Sequence, residues 1–311
     1  MIRLIGIYRE KEYSPGRHQS NDALLLQQVA VSLRKCGCAI DLTTIDRVRT
    51  SGAADAAAPP NAALILSMCQ GRAALRLLAG WEDAGAQIVN SPRAALNTYR
   101  DRLPALMAGA GVPFPETRIV STSAAASPHA ALAQLPQRGV RSSPGAGRAL
   151  EHMIAGGAWL KRGDVHASVT ADVQRIESPA ALGAGRAEFA SRGIHVAAVQ
   201  AHRAGDEIKF YGVGESFFHW FYSGSSREHA FDRAALPRLA ARAAAAAGLE
   251  IFGGDVIVSS DGELTLIDLN DWPSFAPCRD RAADAIGHYI MRRAHAAWCP
   301  SLVPSANESA V

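Results

Sequence analysis

Three oxygen-bearing side chains near the carboxyl end, Asp255, Asp268 and Asn270, have the spacing that says most about chemistry. They lie in the run GGDVIVSSDGELTLIDLNDWPSF, where two β-rich segments, residues 255–259 and 263–270, flank Asp261-Gly262. Asp-Gly between such segments is the strongest short-range signal for a two-residue hairpin turn. That turn sets Ser260 opposite Glu263, Val258 opposite Thr265 and Asp255 opposite Asp268. Side chains alternate along a strand, so Asn270 shares the face of Asp268. Like charges directly opposed in a sheet are destabilising. A divalent cation between them is the simplest remedy, and hard oxygen donors suit Mg²⁺ or Mn²⁺. The competing reading is a pair of ordinary hairpin-end carboxylates facing water, and a one-residue slip would separate the two.

The elements that must position these groups read as α/β. Residues 2–8 form a strand, a polar loop follows, and residues 23–36 have a helical pattern; strands at 39–42 and 63–66 and a helix through Leu75 and Leu78 continue the alternation. Such alternation implies a parallel sheet with helices on its faces, and ligands of such sheets bind beyond the carboxyl ends of strands. The loops at 9–18 and 67–71 are therefore substrate-facing surfaces or solvated connections. Arg9, Arg17 and His18 are the groups there that would meet a substrate carboxylate. Residues 87–90 read as a short strand. Ser91-Pro92 opens a helix running toward Met107, and residues 109–115 break it.

From 121 to 155 Ala, Ser, Gly and Pro dominate, with a helical piece near 129–135; SSPGAG (142–147) reads as a linker in preference to a phosphate loop. Further strands are expected at 158–161, 196–200 and 207–213, with a turn at 201–206. The aromatic run 217–222 is core or the cover of a cleft. A helix is expected over 227–247, ended by Gly248, another over 281–298, and a flexible tail beyond 300.

With 311 residues the chain exceeds what one core usually organises, and a net charge of +3 without a basic block marks neither a nucleic-acid nor a membrane surface. Five cysteines without a CxxC pair indicate neither a disulfide framework nor a zinc site, and a cytoplasmic protein is expected.

Taken together, NSPRAALNTYRDRLPALMAGAGVPFPET, WLKRGD, VQAHRAGDEIKFYGVG and the hairpin run resemble the ATP-grasp superfamily, in particular its glutathione-synthetase-like and ribosomal-modification-type ligases, over residues 88–295. The resemblance implies a Rossmann-like preATP-grasp domain (1–95), a middle subdomain (96–195), a C-terminal subdomain carrying the metal hairpin (196–300) and a flexible tail (301–311). It implies ATP with Mg²⁺ or Mn²⁺ on Asp255, Asp268 and Asn270. Lys161 would reach the nucleotide phosphates, Gln200, Ala201 and His202 would form the adenine hinge, Asp206 or Glu207 would meet ribose, and Lys209 would face the transferred phosphoryl group. Asp101-Arg102 stands where the family often has aspartate-lysine, which makes Arg102 a catalytic candidate. Two further departures are Asp268 in place of the usual glutamate and the lack of a long glycine-rich lid after Lys161.

The activity implied is ATP-dependent joining of a carboxylate to an amine through an acyl phosphate, releasing ADP and phosphate. The partners would be small acids and amines or a peptide, with a homo-oligomer left open. A small-molecule kinase of the same fold and a non-catalytic ATP-binding module are the alternatives.

Overall fold

The computed structural model describes residues 1–14, 16–51, 58–123, 146–167, 169–225 and 227–298. The SSPGAG segment, the helical piece near 129–135 and the tail lie outside, wholly or in their side chains. Three four-stranded sheets carry the described chain.

The first sheet, in the order β2-β1-β3-β4, is wholly parallel. Its strands are β1 (Arg3–Ile7), β2 (Ala39–Thr43), β3 (Leu64–Ser67) and β4 (Ile88–Val89). Near-continuous apolar runs such as LILS mark strands buried on both faces. One face is covered by α1 (Arg17–Lys35), through Leu25, Leu26, Val29 and Leu33. Between β2 and β3 comes α2 (Ile45–Ser51), and α3 (Arg72–Asp83) covers the other face with Leu75, Leu78 and Trp81.

The leading helix expected toward Met107 is two short ones, α4 (Pro92–Asn97) and α5 (Leu103–Gly109). Ser91 caps α4 by accepting the Ala94 N–H at 3.1 Å. Pro104 has no N–H to give the carbonyl four residues earlier, so a helix cannot run through from Arg100. Tyr99 and Arg100 sit in the break.

The second sheet is antiparallel, β5-β8-β6-β7. It comprises β5 (Thr117–Ser121), β6 (Ala158–Arg162), β7 (Val173–Ile176) and β8 (Val196–Ala201). Two helices, α6 (Ala146–Ala155) and α7 (Pro179–Ser191), bury Leu150, Ile154, Leu182 and Phe189 against it.

The third sheet, β10-β9-β11-β12, is also antiparallel. Its strands are β9 (Asp206–Val213), β10 (Phe217–Tyr222), β11 (Ile251–Val258) and β12 (Leu264–Asp271). The helix expected from 227 starts later, as α8 (Ala235–Ala247), because the Asp232 carboxylate accepts the Ala234 N–H at 2.9 Å and begins the turn there. It ends at Gly248, at φ 78°, a left-handed cap that glycine adopts without strain. The last helix, α9 (Arg279–Trp298), does not join this layer. It returns to α1, burying Ala283, Ile286 and Ile290 in the core of the first sheet, and the Arg279 and Gln28 side chains bond across to Asn21 and Asp280. Among the described residues no helix is long and apolar enough to cross a membrane.

Candidate active site

The hairpin brings Asp255 directly opposite Asp268, by a route other than the expected one. The turn is a three-residue loop: Ser259 N–H donates to the Glu263 carbonyl at 3.1 Å, Gly262 N–H to the Ser259 carbonyl at 2.9 Å, and Gly262 has φ 80°. This is the type I turn followed by a left-handed glycine. Val258 therefore opposes Leu264, one residue out of the expected register. A bulge between Val256 and Asp255, at the extra residue Ile267, takes the offset up again.

On β9, Lys209 lies opposite Asp255, so Lys209, Asp255 and Asp268 form one row across three strands; Tyr211, Gly253 and Asn270 form the next. The repulsion between the carboxylates is relieved by separate cations. Lys209 Nζ donates to Asp255 Oδ1 at 2.6 Å and lies 3.4 Å from Glu207. Arg100 Nη2 donates to Asp268 Oδ2 at 2.5 Å. Burial pushes the Asp255 carboxyl above its ordinary value, with Lys209 pulling the other way. Burial acts equally on Asp268, but Arg100 and then Lys161 outweigh it and hold that carboxyl below the usual range. For Lys209 burial works against the charge, and Asp255 followed by Glu207 reverse it, so its pKa is raised.

The opposite wall comes from the second sheet. Lys161, 6% exposed at the end of β6, donates to the Ile267 carbonyl at 3.2 Å, and Gln200 Nε2 donates to the same oxygen at 3.3 Å. The bulge frees this carbonyl from the ladder. Burial brings the Lys161 pKa down to about 8 despite the nearby Asp268. His202 takes the Trp159 indole N–H on Nδ1 at 3.1 Å, and burial with Arg175 lowers its pKa.

Between the walls lies a cavity of about 540 Å³, lined by Trp159, Lys161, Gln200, Ala201, His202, Glu207, Ile267 and both aspartates. A second cavity, about 270 Å³, adjoins it and holds His166, Lys209, Tyr211 and Asn270. Arg100, Ala167, Asp255 and Asp268 line both.

Several expected site residues lie elsewhere. Asp206 is buried on the far face of β9, where it accepts the His229 backbone N–H at 2.8 Å; alternation gives the cavity to Glu207. Arg102 is exposed at the start of α5, and the arginine that reaches the site is Arg100, in the break two residues earlier. Arg9 lines the smaller cavity but commits four of its five donors within the fold. It bonds Asp22 at 3.0 Å and the carbonyls of Met68, Asp271 and Trp272 at 3.2, 3.1 and 2.8 Å, tying the first sheet to the end of β12. The side chains of Arg17 and His18 lie outside the described residues. Phe217–Tyr222 is the edge strand β10, half-buried throughout; Phe221, opposite Lys209, packs on Tyr211 beside the second cavity.

Residues the sequence reading passed over stand in and behind the second cavity: Asp271 and His166 line it, and Asn90 and Gln70 bond to them. Asn90 accepts two backbone N–H groups, of Glu250 and Ile251, so its amide nitrogen points at Asp271, which it meets at 2.5 Å. Gln70 donates to the other Asp271 oxygen at 3.0 Å, which leaves its Oε1 to face His166 Nδ1 at 3.1 Å. The imidazole therefore carries a proton on Nδ1. Buried Asp271 has its pKa raised to about 7 by burial, against the bonds from Asn90 and Gln70.

Among the described residues no group of three or more His, Cys, Asp or Glu is arranged to hold a metal ion. The donor set here is two carboxylates and an amide oxygen, all hard, which suits Mg²⁺ with the rest of its shell from water and phosphate. Lys209, which holds Asp255 now, would have to yield to it.

The fold recurs in solved structures. Over 93% of this chain and 99% of its own, a RimK domain protein ATP-grasp from Sphaerobacter thermophilus DSM 20745 superposes with a TM-score of 0.64 at 18% identity. D-alanine–D-alanine ligase from Bacillus anthracis, complexed with ATP, gives 0.66 at 10% identity over 94% and 97%. The ATP-grasp ligase PsnB, complexed with precursor peptide PsnA2 and AMPPNP, gives 0.59 at 19% identity over 94% and 97%. No protein-family model matches the chain, and no curated protein matches its sequence. The chain has the ATP-grasp fold.

Proposed function

We propose that the protein is an ATP-dependent carboxylate-amine ligase that works through an acyl phosphate. The observation that carries this reading is the meeting of two cavities at one row of charges: the larger offers Lys161 and the hinge Gln200–Ala201–His202, the smaller Lys209 and Asn270, and Asp255, Asp268 and Arg100 stand at the junction. ATP would occupy the larger cavity, with its base against Gln200, Ala201 and His202, its ribose near Glu207 and its phosphates toward Lys161. A desolvated lysine whose partner is a carbonyl gains most from a phosphate. The acid and the amine, as small molecules or as part of a peptide, would enter the smaller cavity.

Asp255, Asp268 and Asn270 would hold Mg²⁺, which when bound supplies charge neutralisation along the phosphates. Lys209, released from Asp255, then faces the phosphoryl oxygens. The site's task is positioning and cationic stabilisation, which carry most of phosphoryl transfer. The wall of Tyr211 and Phe221 restricts water around the acyl phosphate.

Incubation with ATP, Mg²⁺, a panel of amino acids and small acids, and hydroxylamine in place of the natural amine is expected to give ADP, phosphate and a hydroxamate. A stable phosphorylated alcohol with no released phosphate would make the protein a kinase instead.

A further inference from the structure

The two cavities share one cationic side chain, and part of it is unclaimed. Arg9, His166 and Lys209 line the smaller cavity and Lys161, His202 and Arg203 the larger, whereas Arg100 lines both. Arg100 is only 6% exposed. Its Nη2 holds Asp268 at 2.5 Å and its Nη1 touches the Arg162 carbonyl at 3.5 Å, the outer limit of a bond. Its Nε, fully buried, meets no acceptor among the described residues. A guanidinium presents five donors in a rigid fork and never loses its charge. Burying one of those N–H groups without an acceptor is unfavourable, and native interiors rarely keep such groups. If the residue served only to neutralise Asp268, one point charge would suffice. A fork that lines both cavities, with one arm on a candidate metal-ligand carboxylate, the other held only at the outer limit of a bond and Nε unpartnered, fits an oxyanion that comes and goes.

We infer that Arg100 is a catalytic residue that grips the phosphoryl group during its passage from the nucleotide cavity to the substrate carboxylate; this rests on the ligase reading above. A carboxylate oxygen bonds to the γ-phosphorus while the bond from that phosphorus to the bridging oxygen breaks, leaving the electron pair on ADP. The amine nitrogen then bonds to the acyl carbon, the carbon–oxygen bond to phosphate breaks with its pair going to phosphate, and the departing phosphate takes the amine's proton. Through both steps the travelling oxygens stay within the one fork that spans the junction. Planar two-point recognition is what lysine cannot reproduce.

Arg100→Lys tests this, since it keeps the charge beside Asp268 and removes the fork. In calorimetry with Mg²⁺ the variant is expected to bind ADP within about twofold of wild type. With ADP, Mg²⁺ and aluminium fluoride, a planar mimic of the group in flight, it is expected to lose the additional thermal stabilisation that wild type gains. Hydroxamate formation should fall by about 100-fold, as for removal of a single oxyanion donor. Should the variant unfold, the wild type answers alone: a buried arginine Nε–H signal in nitrogen-15 NMR shifts on adding aluminium fluoride to the Mg²⁺–ADP complex. Unchanged aluminium fluoride stabilisation and a hydroxamate rate within threefold of wild type would reduce Arg100 to a partner of Asp268. An equal loss of ADP and aluminium fluoride binding would overturn the proposal too, making it a nucleotide-binding residue. If wild type yields no hydroxamate, the ligase reading fails, while the fluoride comparison still decides whether Arg100 holds a moving phosphoryl group.

Discussion

The two sheets that face each other across the site carry their lysines in opposite states, Lys161 in the larger cavity and Lys209 in the smaller. On the second-sheet wall Lys161 is desolvated, leans on a carbonyl and has its pKa brought down to about 8. On the third-sheet wall Lys209 is 37% exposed and clamped by Asp255 and Glu207, and its pKa is raised. The contrast teaches that one wall is short of negative charge and the other supplied with it. On the proposed reading Lys161 stores an unmet demand that phosphate would satisfy, so it would contribute affinity. Lys209 has its demand met by Asp255 and Glu207, so on the same reading it would contribute only once a metal ion had taken Asp255.

Four substitutions break or sharpen this contrast. Asp268→Ala has the largest effect, because it strips the carboxylate from Arg100 and leaves Lys161 without its main counter-charge. Breaking one side of a buried pair costs about 3–5 kcal/mol, to be read in urea unfolding, and Mg²⁺-dependent turnover should vanish. An unchanged unfolding midpoint would mean the pair does not form in solution. Lys161→Met should weaken ATP binding by tenfold or more in calorimetry while leaving stability equal or higher, since a lone buried ammonium is unfavourable.

The pH dependence follows from the same shift. Between about 8 and the ordinary 10.5 the unfolded chain holds the Lys161 proton and the folded one does not. Wild-type stability relative to Lys161→Met should therefore rise over that window, and a flat difference would show that Lys161 is solvated. Lys209→Met should cost about 1 kcal/mol of stability or less, as for a partly exposed pair, and lower turnover without altering nucleotide affinity; a loss of ADP binding would erase the contrast between the walls. Arg102→Ala is expected to change turnover by less than twofold, which separates it from Arg100.

The opposition of Asp255 and Asp268 was legible because alternation and a glycine turn are local properties, and the offset in the turn was cancelled by the bulge. The position of Asp206 was legible in principle: it shares parity with Ile208 and Phe210, both buried, so the core face claims it. Arg100 was not. TYRDR places arginines on both sides of one aspartate, and a break imposed by Pro104 decides which points inward. Nor could the chain reveal that Arg9 would bond the carbonyls at 271 and 272, or that α9 would close the first sheet, because both depend on how distant layers dock.

The extra residue at Ile267 separates two questions that a regular hairpin would join. Deleting it would restore an unbroken ladder, bring Leu266 next to Asp268, and leave both side chains on the faces they already occupy, since neighbours on a strand point opposite ways. The carboxylate pair would keep its phase. What would go is the spare carbonyl that Lys161 and Gln200 both hold, the handle by which one lobe of the clasp grasps the other. A chain lacking that single residue should keep its opposed carboxylates and lose the grip between its second and third sheets.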